Sequence, residues 1–345
     1  MQMISQRDTY GSPGQSGTVA MDLRYVFTNP LSPNAADKIN DGRIIQRQNI
    51  VSGETVNYTY DALQRLEKAE TASAAWGLSW DYDGFGNRWE QRITKGTAPP
   101  NTVSFDQTTN RVNSAWYQHD ANGNMTAMPG YNNLTYDIDN RLLSAYGNGS
   151  SEQYAYLADN KRVWKQTNQN GNPVEQYYLY GVGGERIATY TVNQQMLNEG
   201  TLFLAATQNT IDVYFGGRLL WQNGKAVLRD RLGSVMARAG DYTALERHDY
   251  FPYGEERTPS TGDRNKFGTY HRDQTGLDYA DQRYYNSTIA RFLSADPYED
   301  SGGATEPNSW GRGVYVHGDP ANFNDAIGLY ESQANQDQNG EDAMR

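Results

Sequence analysis

Between residues 58 and 190, apolar and aromatic positions alternate with polar ones in short runs, and each run ends in a cluster of Asp, Asn and Gly. Alternation with period two predicts strands with one buried face, and the polar clusters predict the turns between them. The runs are copies of one phrase, clearest in Tyr58-Thr-Tyr-Asp-Ala-Leu-Gln-Arg-Leu66. Trp80–Arg88, Trp116–Asn124, Leu134–Leu142, Tyr154–Arg162 and Tyr177–Arg186 repeat it, starting roughly 17 to 40 residues apart. That spacing is the mark of a repeat architecture.

Each part of the phrase has a physical task. Tyr-x-Tyr sets two rings on one face of a strand. The following Asp bonds a backbone N–H two residues on and starts a turn, and Gly or Asn supplies the positive φ. The Arg or Lys opening the return strand lays its stem over a neighbouring ring. Hairpins of this kind cover one another's edges, so the pattern predicts an all-β chain built as a spiralling antiparallel sheet, a partial hollow shell. Met21–Phe27 and Arg43–Val51 are expected as earlier strands, and 201–205, Ile211–Phe215 and Arg218–Trp221 as plain strands after the repeat degrades. The expected organisation is a partial β segment over 1–50, repeat sheet over 51–225, a distinct domain over 226–330, and a polar, disordered tail over 331–345. Repeated hairpins make a surface or an enclosure, so chemistry is expected where the repetition stops, beyond Lys225.

Composition narrows the classes. The net charge of -11 disfavours nucleic acid as a partner. The chain has 26 Tyr against 9 Phe, which suits half-buried strands whose hydroxyls reach water or a carbonyl. With no cysteine, disulfides, thiolate metal sites and Cys nucleophiles are excluded. The four histidines, His119, His248, His271 and His317, are scattered and suggest no metal site. No apolar run is long enough for a membrane span, and the N-terminus lacks the apolar core of a signal peptide. Gly181–Gly184 lacks the lysine and helix of a phosphate loop, Asp81–Asn87 has the wrong ligand spacing for calcium, and Gly233-Ser234 lacks a nucleophile elbow. No cofactor is implied.

Beyond residue 225, four ordered motifs stand out: Asp230–Val235, Tyr250–Glu255, Thr275–Tyr285 and Ala290–Pro297. With the upstream array, they resemble the Rhs-associated core and repeats of bacterial Rhs/YD-repeat proteins. Related repeats form the teneurin shell and the C component of insecticidal toxin complexes. The resemblance implies a β shell that sequesters the chain's own C-terminal polypeptide, with the core domain as a plug at one end. It implies that the protein is secreted or at the cell surface. It also implies an aspartyl autoprotease that cuts after Gly-Leu. The matching residues are Arg283, Asp296 and Asp325, and the expected scissile bond is Leu329–Tyr330, preceded by Gly328. Carboxylate-driven hydrolysis needs two acids close enough to share a proton, and Arg283 would offset their charge. Gly328 lets the backbone come close to a carboxylate.

The chain departs from the family pattern in three ways. Ala326 stands where the family has proline, polar residues are inserted around Glu299–Pro307, and sixteen residues follow Leu329. The six repeats are too few to close a chamber, so the chain is expected to be part of a longer shell, whose remainder is a partner. Two rival readings remain. One is a cell-surface glycan-binding or adhesion module using Trp76, Trp80, Trp89, Trp116, Trp164 and Trp221. The other is an inactive fragment, which would hold Asp296 and Asp325 apart.

Overall fold

The computed structural model describes residues 2–10, 17–29, 40–169, 172–196, 202–240, 245–259, 264–297, 311–329 and 332–333. Among them there is no α-helix, only a turn of 3-10 helix at Val316–Gly318. Two large antiparallel meanders dominate. The first sheet has eight strands, from Ser5–Tyr10 to Asn101–Thr102, and the second has eleven, from Tyr131–Tyr136 to Leu245–Arg247. In both, every strand lies beside its sequence neighbours, as hairpin repeats dictate. A short ladder, Gln118–His119 with Met125–Ala127, lies between them in sequence.

The repeat chemistry is visible bond by bond. The Asp61 carboxylate accepts the backbone N–H groups of Leu63 and Arg65, each at 2.9 Å, and the Arg65 side chain at 2.7 Å. Asp83, Asp120 and Asp137 build the same turn. The closing Tyr of most copies bonds the preceding hairpin. Tyr82 Oη donates to the Leu66 carbonyl and Tyr156 Oη to that of Leu142, both at 2.6 Å, and Tyr180 Oη to that of Arg162 at 2.7 Å. Arg65 lies 4.7 Å from the centre of the Tyr82 ring, and Arg141 lies 5.5 Å from that of Tyr156. In these copies the cation covers the ring of the next copy, whereas Arg88 of the second copy lies over Tyr253 instead.

Some local expectations shift. The segments expected as strands at 201–205 and Ile211–Phe215 are one strand, Leu202–Phe215, because no Gly or Pro interrupts them. Trp116 opens no strand: it takes φ 74° in a turn and is 81 % exposed. Ser332–Gln333, inside the segment expected as tail, pairs with Phe323–Asn324. Backbone pairing needs no apolar side chain, which composition alone could not reveal. The rest of that tail and Glu299–Pro307 lie outside the described residues.

A small sheet of four strands, His271–Arg272, Asp278–Ala280, Arg283–Asn286 and Arg291–Phe292, lies beyond the second large sheet in sequence. Arg283–Asn286 is buried at every position. Successive side chains point to opposite faces, and each face has its own core. Tyr285, Phe292 and Tyr315 join Leu66, Leu78 and Trp80 of the first sheet. Tyr284, Ile289 and Leu293 join Leu134, Leu142 and Tyr154 of the second. The small sheet is therefore held between the two large ones, with no wet face. The tryptophans form no single row: Trp76 and Trp80 are buried, Trp164 is half-buried, and the exposed Trp89, Trp116 and Trp221 lie on separate elements.

Candidate active site

Arg283 opens the buried strand and must find partners for every N–H it carries. Its Nη2 lies 3.3 Å from Asp296 Oδ2 and 3.2 Å from Asp325 Oδ2. Nη1 donates to the Arg312 carbonyl at 2.9 Å, and Nε donates to the Gly328 carbonyl. The guanidinium carbon sits 3.7 Å from the centre of the Phe292 ring. All three charged residues are about 5 % exposed or less. Burial lowers the Arg283 pKa from its ordinary value, and the carboxylates of Asp325 and Asp296 pull against that shift without cancelling it.

The fold brings two acids 29 positions apart in the chain onto one nitrogen. Asp296 is fixed by backbone: its N–H donates to the Arg312 carbonyl at 3.0 Å, and Arg312 Nη2 returns to the Asp296 carbonyl. Asp325 is fixed through its backbone: Tyr270 Oη donates to its carbonyl at 2.5 Å and Thr269 Oγ1 donates to the Ala326 carbonyl at 2.6 Å. These two bonds hold the segment in which alanine replaces proline.

The expected scissile segment lies against this group. Asp325 Oδ1 accepts the Leu329 N–H at 2.9 Å, so the loop closes on its own acid. Gly328 has φ 77°, and a Cβ there would lie 2.7 Å from the Ala280 carbonyl oxygen and 3.3 Å from the Arg283 nitrogen. Only glycine permits this approach. Tyr330 lies outside the described residues.

Sequence reading missed the supports: Tyr270, Arg312, Asn322 and Asp319. Nothing in their spacing announces them, since each acts across the fold. Asp319 is 3 % exposed. Burial pushes its carboxyl up to about 6, against the opposing pull of Asn322 and Arg43. Between about pH 4 and 6 the folded chain keeps a proton that the unfolded chain has released, so Asp319 withdraws stability as pH rises through that window. Asp319→Asn should therefore gain up to about 3 kcal/mol on wild type between pH 4 and 7. Urea unfolding at both values measures this; an equal offset at each would contradict it.

The fold is that of the shell-forming toxin-complex chains: crystal structures of TcdB2-TccC3, alone and with Cdc42, match with TM-scores of 0.64 and 0.65. Identities are 19 % and 20 %, over 95 % and 94 % of this chain and 18 % of the solved ones. The tRNA3(Ser)-specific nuclease WapA of Bacillus spizizenii is 27 % identical over 264 residues, and the tRNA nuclease WapA of Bacillus subtilis is 26 % identical over 258. Each match covers 71 % of this chain and 10 % of the relative. The chain thus spans about a tenth of the length of these relatives. No family model matches it. The resemblance to Rhs/YD-repeat proteins read from the sequence is upheld.

Proposed function

We propose that the chain is the C-terminal part of an Rhs/YD-repeat shell that sequesters a downstream polypeptide and cuts itself at Leu329–Tyr330. The observation that carries this reading is the shared contact of Asp296 and Asp325 with Arg283 Nη2, beside a loop whose Leu329 N–H is bonded to Asp325. Two buried carboxylates on one guanidinium can hold a single proton between them. The ionised member takes a proton from water as its oxygen attacks the Leu329 carbonyl carbon. The protonated member supplies a proton to the Tyr330 nitrogen as the C–N bond breaks. A carboxyl group at Leu329 and an amine at Tyr330 result, and the proton count of the pair is restored. Arg283 limits the cost of charge in the dry site. Sequestration fits the buried position of the plug between the sheets, and the shell reading carries with it a secreted or cell-surface location.

Asp296→Asn and Asp325→Asn each keep the side-chain shape and remove the acid. Both variants should remain whole while wild type is cut, as read by intact mass. Cutting in either variant would remove that residue from the chemistry.

A further inference from the structure

We propose that Asn322 is a positioning residue for the cut at Leu329–Tyr330, tying the Asp325 segment to the wall formed by the first sheet; the proposal rests on the cleavage reading above. Asn322 Oδ1 accepts the Ile44 N–H at 2.9 Å, and its Nδ2 donates to Tyr60 Oη at 2.9 Å. Tyr60 Oη donates in turn to the Ile44 carbonyl at 2.6 Å, which closes a ring of bonds between two distant parts of the chain. The same Nδ2 meets both Asp319 oxygens, at 2.9 and 3.1 Å, and Arg43 Nε lies 3.2 Å from Asp319 Oδ2. Asn322 is 5 % exposed, so water cannot replace these partners.

The tie needs a group that donates and accepts at one place, which an amide provides. Three residues on is Asp325, through a stretch that Arg231 grips at the Ala321 and Asn322 carbonyls. Asn322 itself touches neither Asp296 nor Arg283 in any bond described, so it acts through the backbone that presents Asp325. Ile44 and Tyr60 reach Asn322 only once the plug segment has docked on the first sheet. Cleavage therefore waits for docking, and the acid pair is not completed on a loose chain.

The test uses the full chain, made denatured and refolded by dilution at about pH 5 and about pH 7.5, with the cut followed by intact mass. Asn322→Leu removes donor and acceptor at similar size and should cut about 10- to 100-fold more slowly at both values. Asn322→Asp keeps the shape and carries the donor only when protonated. Asp319 facing it disfavours ionisation, while Arg43 and Arg231 favour it, and Tyr60 is neutral. Relative to wild type at the same pH, Asn322→Asp should be slow at about pH 7.5 and recover at about pH 5. A wild-type rate in Asn322→Leu, or no acid recovery in Asn322→Asp, overturns the proposal.

Hydrogen exchange of the Leu329 amide in an Asp296→Asn background gives a readout that needs no cutting. Adding Asn322→Leu should speed that exchange at least about tenfold. Unchanged exchange overturns the tie whether or not wild type cuts itself. Faster exchange with a wild type that stays whole supports the tie and overturns the cleavage reading alone.

Discussion

Asp273→Ala should cost about 3–5 kcal/mol of stability, as expected when one partner leaves a buried ion cluster. Asp273 accepts Arg162 Nη1 and lies 3.0 Å from Lys165 Nζ, and its side chain has no exposed surface. Burial raises its carboxyl pKa, but Arg162 and Lys165 outweigh that and hold it below the ordinary value. Arg162 is itself enclosed by Tyr154, Tyr178, Tyr279 and Tyr284. Without Asp273, Lys165 keeps Glu152 at 2.9 Å, but Arg162 keeps no carboxylate among the ion pairs described. The cluster joins the second sheet to the small four-stranded one, so the loss should appear in urea unfolding of the whole chain. Asp139, whose side chain is 61 % exposed, also meets an arginine, Arg141 at 3.3 Å. Asp139→Ala should cost no more than about 0.5 kcal/mol. Equal costs for the two would show that burial does not decide the strength of these pairs.

Arg283→Lys should slow self-cleavage at least about 100-fold while leaving the chain folded. Lysine keeps the positive charge but is a single ammonium on a flexible stem. It cannot meet Asp296, Asp325, the Gly328 carbonyl and the Arg312 carbonyl at once, as the planar guanidinium does. The substitution separates charge from geometry. A Lys variant that cuts at the wild-type rate would mean that charge alone suffices and that the fork is not part of the mechanism. A thermal melt of the same sample checks that the chain is still folded.

Much of the fold was legible because its interactions are local. The Asp turn closes within four residues, and the tyrosine ladder links neighbouring copies, so a repeat written in sequence becomes a repeat in space. Tyr284 and Tyr285 could not be read in this way. Both lie in one motif, yet they serve separate cores on opposite faces of a strand enclosed by two sheets. Alternation predicts opposite faces, but not that both are covered. The same limit applies to the site. Arg283, Asp296 and Asp325 were picked out by resemblance, while their meeting at one nitrogen depends on the chain returning on itself. Asn322, 278 positions from the Ile44 amide it accepts, carried no signal at all. The break between the two large sheets was equally hidden, since the third copy reads like the others until Trp116 turns outward.

The intact mass of the purified wild-type chain tests the central claim most directly. Self-cleavage predicts a main species that ends at Leu329, with a separate peptide beginning at Tyr330. A folded chain that keeps all 345 residues would contradict it and leave the acid pair as a buried structural tie.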